Sequence, residues 1–454
     1  MILWPLLTLL CQFHLTVQEE YGKFSYGNNV LSFQEGSSDQ EVSKVGYLED
    51  NALKPHAPIV FDRSEIFRVV LSNHNFAAIE ENAFHGFSEL KFLNLENNHI
   101  RYIPERAFQG LDKLLTLNLE GNKLERFRII SSSVRSLYLS KNNLKRLPNQ
   151  MFSQTANVEI LQLHGNGLEE LERLAFAGLT QLKSLTLSNN HLKFLPEDIF
   201  LHCSEMVNLY LEDNELTVIG GSFKPLKNLI TLSLQNNKIE DITSGAFHTL
   251  AVLRTLNLSI NSLVTLHEDL FRDLKQLGDL HLPYNKIESL PDGLFRDLGK
   301  LGRLLLNGNK IVSLQPNVFR GLIHLRNLQL QHNRIGSLEK GIFSGLEVCD
   351  DLNLSDNALT VLKPDVFSGL GGLVQLILTD NKLNHIQVGA FRGLGLTCIL
   401  GLENTEVQSL DGLVEMESLR FIILRGTKFE NETVVHIGSK SFKVNLHSVW
   451  ALEK

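Results

Sequence analysis

"LKFLNLENNHIRYIPERAFQGL" (Leu90–Leu111) and "LGRLLLNGNKIVSLQPNVFRGL" (Leu301–Leu322) are one phrase written twice. Its skeleton is LxxLxLxxNxL followed by xxLpxxxFxxL. The Asn of the phrase falls at Asn98, Asn122, Asn142, Asn166, Asn190, Asn214, Asn237, Asn261, Asn285, Asn309, Asn333, Asn357 and Asn381. The step is 24 residues throughout, except 20 into Asn142 and 23 into Asn237. A fixed period of this length is the signature of a solenoid.

The segment LxLxx alternates apolar and polar residues, which is strand periodicity, and only the first half of each repeat does so. A single strand per repeat cannot bury its apolar face, so successive repeats must stack into a parallel sheet with about 4.8 Å between strands. The Leu side chains then point inward and the residues between them form one continuous outer face. After each strand the chain turns inside the core and strands backbone polar groups there. An Asn amide carries two donors and an acceptor, and can bond the backbone of adjacent turns. Leaving such groups unpaired costs roughly 1–3 kcal/mol each. The thirteen Asn are therefore expected to form a ladder. A Phe recurs in the second half of the repeat, from Phe84 to Phe391, and is expected to form a second buried line. That half shows little helical periodicity and frequent Pro or Gly, which predicts turns and short helical pieces.

The pattern resembles the leucine-rich repeat family, over Ser64–Glu430, in its 24-residue typical class of extracellular members such as Toll-like receptors, Slit and small leucine-rich proteoglycans. The resemblance implies an α/β-type solenoid: a horseshoe of about sixteen repeats, with a concave parallel sheet and a convex side of turns. His74, Thr405 and Thr427 hold the ladder place in the end repeats, where caps are usually atypical. The expected division is 1–17, a signal peptide; 18–62, an acidic N-terminal flank or cap; 63–430, the solenoid; and 431–454, a C-terminal flank or cap. "NNVLSF" and "APIVFD" in the first flank and "FKVNLHSVW" in the second are expected strands that close the open ends.

Met1–Val17 is apolar and ends abruptly at Gln18, which resembles a secretory signal peptide. No later stretch is long and apolar enough to span a membrane as a helix. A net charge of −8 argues against nucleic acid as the main partner. Cys203, Cys349 and Cys398 are the cysteines beyond the leader, and none lies in a flank. Cys349 and Cys398 are two repeats apart, about 10 Å, beyond the ~7 Å that a disulfide spans. No intramolecular bridge is expected, and Cys398 is placed near the exposed face, where it could join two chains. The motifs HExxH, GxxxxGK[ST], GxSxG and CxxC are missing and the His residues show no metal-ligand spacing. This reads as no enzyme, no metal and no cofactor.

Function is expected on the outward strand face. Tyr is favoured at recognition surfaces because it brings contact area and a hydrogen bond at small entropic cost. Tyr138, His164, Tyr210, His281 and Tyr284 are the candidate partner-binding residues. Sequons at Asn257, Asn353 and Asn431 are expected glycosylation sites; glycans at the first two would steer contacts towards Tyr138–Tyr210. The short repeat before Asn142 lacks the Pro and the FxxL, which predicts a tighter outer turn and a local change of curvature, and it is basic. Arg126, Arg128, Arg135, Lys141, Lys145 and Arg146 are a candidate anion-binding patch. The expected function is a secreted protein, monomeric or weakly dimeric, that binds another extracellular protein in recognition, adhesion, signalling or innate defence. Two further readings stay open: a matrix component that takes an acidic glycan or a matrix protein, and an intracellular scaffold.

Overall fold

A computed structural model describes residues 30–31, 47–48, 63–128, 133–444 and 449–452. Met1–Val17 and "APIVFD" lie outside the described residues. The chain forms two compact units, one to Tyr138 and one from Leu139.

The first unit carries four three-residue parallel strands, Arg68–Val70, Phe92–Asn94, Thr116–Asn118 and Ser136–Tyr138. Each pairs in register with the strand one repeat on, and the register survives the 20-residue step from Thr116 to Ser136. Phe127 and Val134 fill the core of that short repeat. Part of its outer turn, residues 129–132, lies outside the described residues, and with it the expected tighter bend. Two strands of the N-terminal flank join this unit. Tyr47–Leu48 adds to the sheet beside Arg68–Val69, and Val30–Leu31, inside "NNVLSF", pairs with Ala78–Ile79.

The second unit carries twelve such strands, from Ile160–Gln162 to Phe421–Ile423. Every pairing up to Phe421–Ile423 is parallel and in register, for example Leu209 with Leu232 and Leu280 with Leu304. The central residue of each strand is a fully buried Leu, or Ile422 in the last. Each such burial is worth about 1.5–3 kcal/mol, and the repetition makes the core continuous along the unit. At the far end, Val449–Leu452 runs antiparallel to Phe421–Ile423 and pairs with Lys440–Val444, which forms a hairpin with Val434–Ile437. "FKVNLHSVW" therefore contributes to two strands of a terminal antiparallel cap.

Two buried lines hold each unit. Asn190 is representative of the first. Its Nδ2 donates to the carbonyls of Leu163 (3.1 Å), Leu187 (2.8 Å) and Ser188 (3.1 Å), and its Oδ1 accepts from the amides of Leu168 (2.9 Å) and Asn166 (3.0 Å). Asn98 does the same in the first unit, bonding Leu71 and Leu95 and accepting from His74 and Phe76. One side chain thus ties its own turn to the preceding one. Thr405 and Thr427 are shorter, and each hydroxyl donates within its own turn, to Leu402 and Leu424. The Phe line is the second: Phe271, Phe295, Phe319, Phe343, Phe367 and Phe391 stack at 5.6–6.4 Å between centroids.

The outer side carries no α-helix among the described residues. It consists of turns, 3-10 pieces such as Gly221–Phe223 and Asp411–Leu413, and two-residue parallel pairs such as Val218–Ile219 with Asp241–Ile242. These small pairs have no signal in the repeat phrase, because two residues are too few to alternate.

The residue before each ladder position takes the left-handed conformation. Asn97, Asn189, Asp213, Asn236, Asp356 and Asp380 have φ between +47° and +58°, and Gly121, Gly165 and Gly308 between +67° and +69°. Asn, Asp and Gly accept this backbone most readily. The sequence carries the signal in "ENN", "EGN", "SDN" and "TDN", beside the more regular ladder Asn.

Candidate recognition face of the parallel sheet

The three-residue strands expose their first and third residues and bury the middle one. In the second unit the third position reads Gln162, Thr186, Tyr210, Ser233, Asn257, His281, Leu305, Gln329, Asn353, Ile377, Gly401 and Ile423. All but Gly401 are half-exposed on an otherwise uniform backbone.

Tyr138 holds this position in the last strand of the first unit. In the second unit, Tyr210 is two strands from Gln162, beside which His164 emerges. Its phenol is pushed above the usual tyrosine range by burial and by the Glu212 carboxylate. His164 is fastened through Nδ1 to Ser140 Oγ at 2.7 Å. His281 lies three strands beyond Tyr210, roughly 15 Å away at normal strand spacing. Burial holds its imidazole below the usual range, with Asp279 opposing that shift and Arg303 adding to it. Its Nε2 is buried with no hydrogen-bond partner among the described residues. Tyr284 is not a strand residue. It occupies the left-handed place before Asn285, with φ +55°, and is 58% exposed. The second unit therefore groups His164 with Tyr210, and His281 with Tyr284, at separate places.

The charges on this face are largely paired. Lys183 meets Glu159 at 2.8 Å and Arg326 meets Asp350 at 3.5 Å, while His332 Nδ1 is hydrogen-bonded to Asp356 at 2.5 Å. Asp351 accepts from Asn327 (2.7 Å) and Gln329 (3.0 Å), while burial raises its carboxyl above the usual range.

The six basic candidates are divided between the units. Arg126, Arg128 and Arg135 are exposed in the first, where Arg128 faces Glu105 at 3.6 Å. Lys141, Lys145 and Arg146 are exposed in the second, where Arg146 is engaged by Glu170 (2.8 Å) and Glu172 (3.7 Å). Of the sequons, Asn431 is exposed at the turn before the terminal hairpin. Asn257 and Asn353 are half-buried; the Asn257 amide donates to Gln235 at 2.8 Å, and both Oδ1 atoms accept from the sequon Ser. The three cysteines among the described residues are free thiols. Burial pushes Cys203 and Cys349 up to about 12, whereas Cys398 is half-exposed. Among the described residues no group of three or more His, Cys, Asp or Glu could hold a metal ion, and no helix is long and apolar enough to cross a membrane.

The family profile described as leucine rich repeat matches residues 66–124, 132–192, 180–239, 227–287, 275–335 and 323–383. The chain belongs to the leucine-rich repeat family. No curated protein sequence matches it significantly. Solved leucine-rich repeat structures do share its fold. A chain of the Drosophila Toll–Spatzle complex is 22% identical with a TM-score of 0.63, over 79% of this chain and 51% of that one. A leucine-rich repeat protein of Leptospira interrogans is 25% identical with a TM-score of 0.60, over 76% of this chain and 91% of that one. A plant peptide hormone receptor solved with RGF2 is 21% identical with a TM-score of 0.58, over 80% of this chain and 64% of that one. This leucine-rich repeat chain spans about half the length of the Toll-complex chain it matches. The repeat fold is generally an interaction scaffold, since it presents a broad surface where enzymes present a deep pocket.

Proposed function

We propose that this leucine-rich repeat protein is secreted and binds another extracellular protein through the outward face of its parallel sheet, without catalysing a reaction. One observation carries the reading. The strands of the second unit repeat the same register and the same buried Leu, while the third strand position holds a different chemistry in almost every turn. A fold that needs nothing from that column leaves it free to encode recognition. Met1–Val17 and the three sequons support an extracellular location, with 18–62 and 431–454 as the flanks of a 63–430 solenoid. Structural neighbours whose complexes contain Spatzle and RGF2 support a protein or peptide as the partner. Tyr138, His164, Tyr210, His281 and Tyr284 are the proposed contacts.

The test is a binding screen of the secreted chain against extracellular proteins, followed by Tyr210→Ala with His164→Ala on the best hit. Each buried aromatic anchor is worth about 2 kcal/mol or more, so the double variant should weaken binding by more than about tenfold. Undiminished binding would move the interface off this part of the sheet.

A further inference from the structure

Ile260 and Tyr284 occupy the left-handed place in consecutive repeats of the second unit, at φ +54° and +55°. Asn, Asp or Gly fills that place in most other turns. For Ile the conformation is an outlier, because its branched Cβ crowds the backbone. Neither side chain is buried in return: Ile260 is 43% exposed and Tyr284 58%. The two turns are joined directly, through the Ile260 amide to the Pro283 carbonyl at 2.8 Å. The next turn makes room for them. A Cβ on Gly308 would stand 2.6 Å from Tyr284 Cδ1, so the ring lies over a position that only glycine leaves open. Strain of this kind persists where the surrounding fold enforces it, and it gathers at binding sites.

A row of cations runs beside this apolar pair. Lys286, Lys310 and Arg334 each follow the ladder Asn in three consecutive turns, so Lys286 is separated from Tyr284 by the buried Asn285 alone. Lys286 Nζ donates to Ser262 Oγ at 3.1 Å. Among the described residues none of the three makes an ion pair, although Lys238, at the same place two turns earlier, is neutralised by Glu215 at 2.9 Å. Glu288, two residues beyond Lys286, is an exposed acid.

We propose that Ile260, Tyr284, Lys286, Lys310 and Arg334 form a docking edge for an acidic polypeptide segment that carries apolar side chains. The unpaired cations complement its carboxylates, and the two strained side chains give its apolar residues a contact that a sulfated sugar would not use. The inference rests on the reading of the chain as a recognition protein; it shares Tyr284 with the contacts proposed above, but its other residues follow the ends of the strands and are not on the strand face.

The probe is a short fluorescent peptide of alternating Glu and Leu, with a Lys and Leu peptide and a heparin fragment as controls, titrated onto the full chain. The acidic peptide should bind saturably, and Lys286→Gln with Lys310→Gln and Arg334→Gln should weaken it by about tenfold or more. Ile260→Asn with Tyr284→Asn should weaken it similarly while raising the melting temperature by about 1–3 °C, because Asn relieves the left-handed strain. A lowered melting temperature would assign these side chains to packing and overturn the argument. So would failure of the acidic peptide to bind, or acidic-peptide binding that survives the Asn substitutions. None of these readouts uses the strand-face partner, so a failed protein screen leaves this result intact, and the reverse.

Discussion

Replacing Asn237 by Ala should destabilise the protein far more than replacing Thr427 by Ala, although the two residues are almost equally buried, at 8% and 7% exposed. Burial alone predicts equal effects. Reach separates them. Asn237 Nδ2 donates to the carbonyls of Leu211, in the preceding turn, and Leu234, in its own, at 3.0 and 3.1 Å; its Oδ1 accepts from the Leu216 amide at 3.0 Å. Ala leaves a buried amide and at least one buried carbonyl short of a partner, at roughly 1–3 kcal/mol each. Some of this is recovered by water or relaxation, so about 2–4 kcal/mol is expected. Thr427 Oγ1 donates only to Leu424 at 2.7 Å and accepts from Phe429 at 3.2 Å, both local, in the last turn before the cap. Its loss should cost about 1 kcal/mol. Urea midpoints of the two variants give the comparison, and hydrogen exchange at the Leu216 amide localises it, which matters because long arrays can depart from two-state unfolding. Equal shifts, or an unchanged Leu216 amide in Asn237→Ala, would refute the ladder as the cross-turn fastening.

Gly321→Ala should cost roughly 2–4 kcal/mol, since the residue sits at φ +99° and a Cβ would press on the Arg296 carbonyl; Gly336→Ala, with nothing within 4 Å, should be close to neutral by the same thermal melt. His281 gives a pH signature. Burial depresses its pKa in the folded chain below the ordinary 6.5, so the unfolded chain binds the proton more readily. Its contribution is fully present above about pH 6.5 and is lost as pH falls through the folded value. His281→Gln should flatten the pH dependence of the melting temperature in that range, and an unchanged profile would refute the assignment.

The parts of this molecule that were legible in its sequence are the parts that are buried and repeated. Asn98 to Asn381 and the Phe line stand out because each turn must satisfy the same inward geometry, so the same residue returns at the same place. Outward features carry no such requirement. Tyr284 shows the limit: it is expected on the strand face, but the strand ends at His281, three residues earlier, and the backbone is left-handed at Tyr284 itself. The left-handed rule itself was written in the Asn, Asp and Gly residues before the ladder. It could be noticed only once their φ values were known to be shared, and only then do Lys141, Ile260, Tyr284 and His332 become exceptions, of which Ile260 and Tyr284 are consecutive. A repeat makes deviations informative in a way that a globular fold does not, because every turn is a control for its neighbours. Function in this chain is therefore best sought where a turn gives up its preferred residue without gaining burial for it. By that criterion the edge between Ile260 and Arg334 is a stronger candidate than any aromatic chosen for its residue type alone.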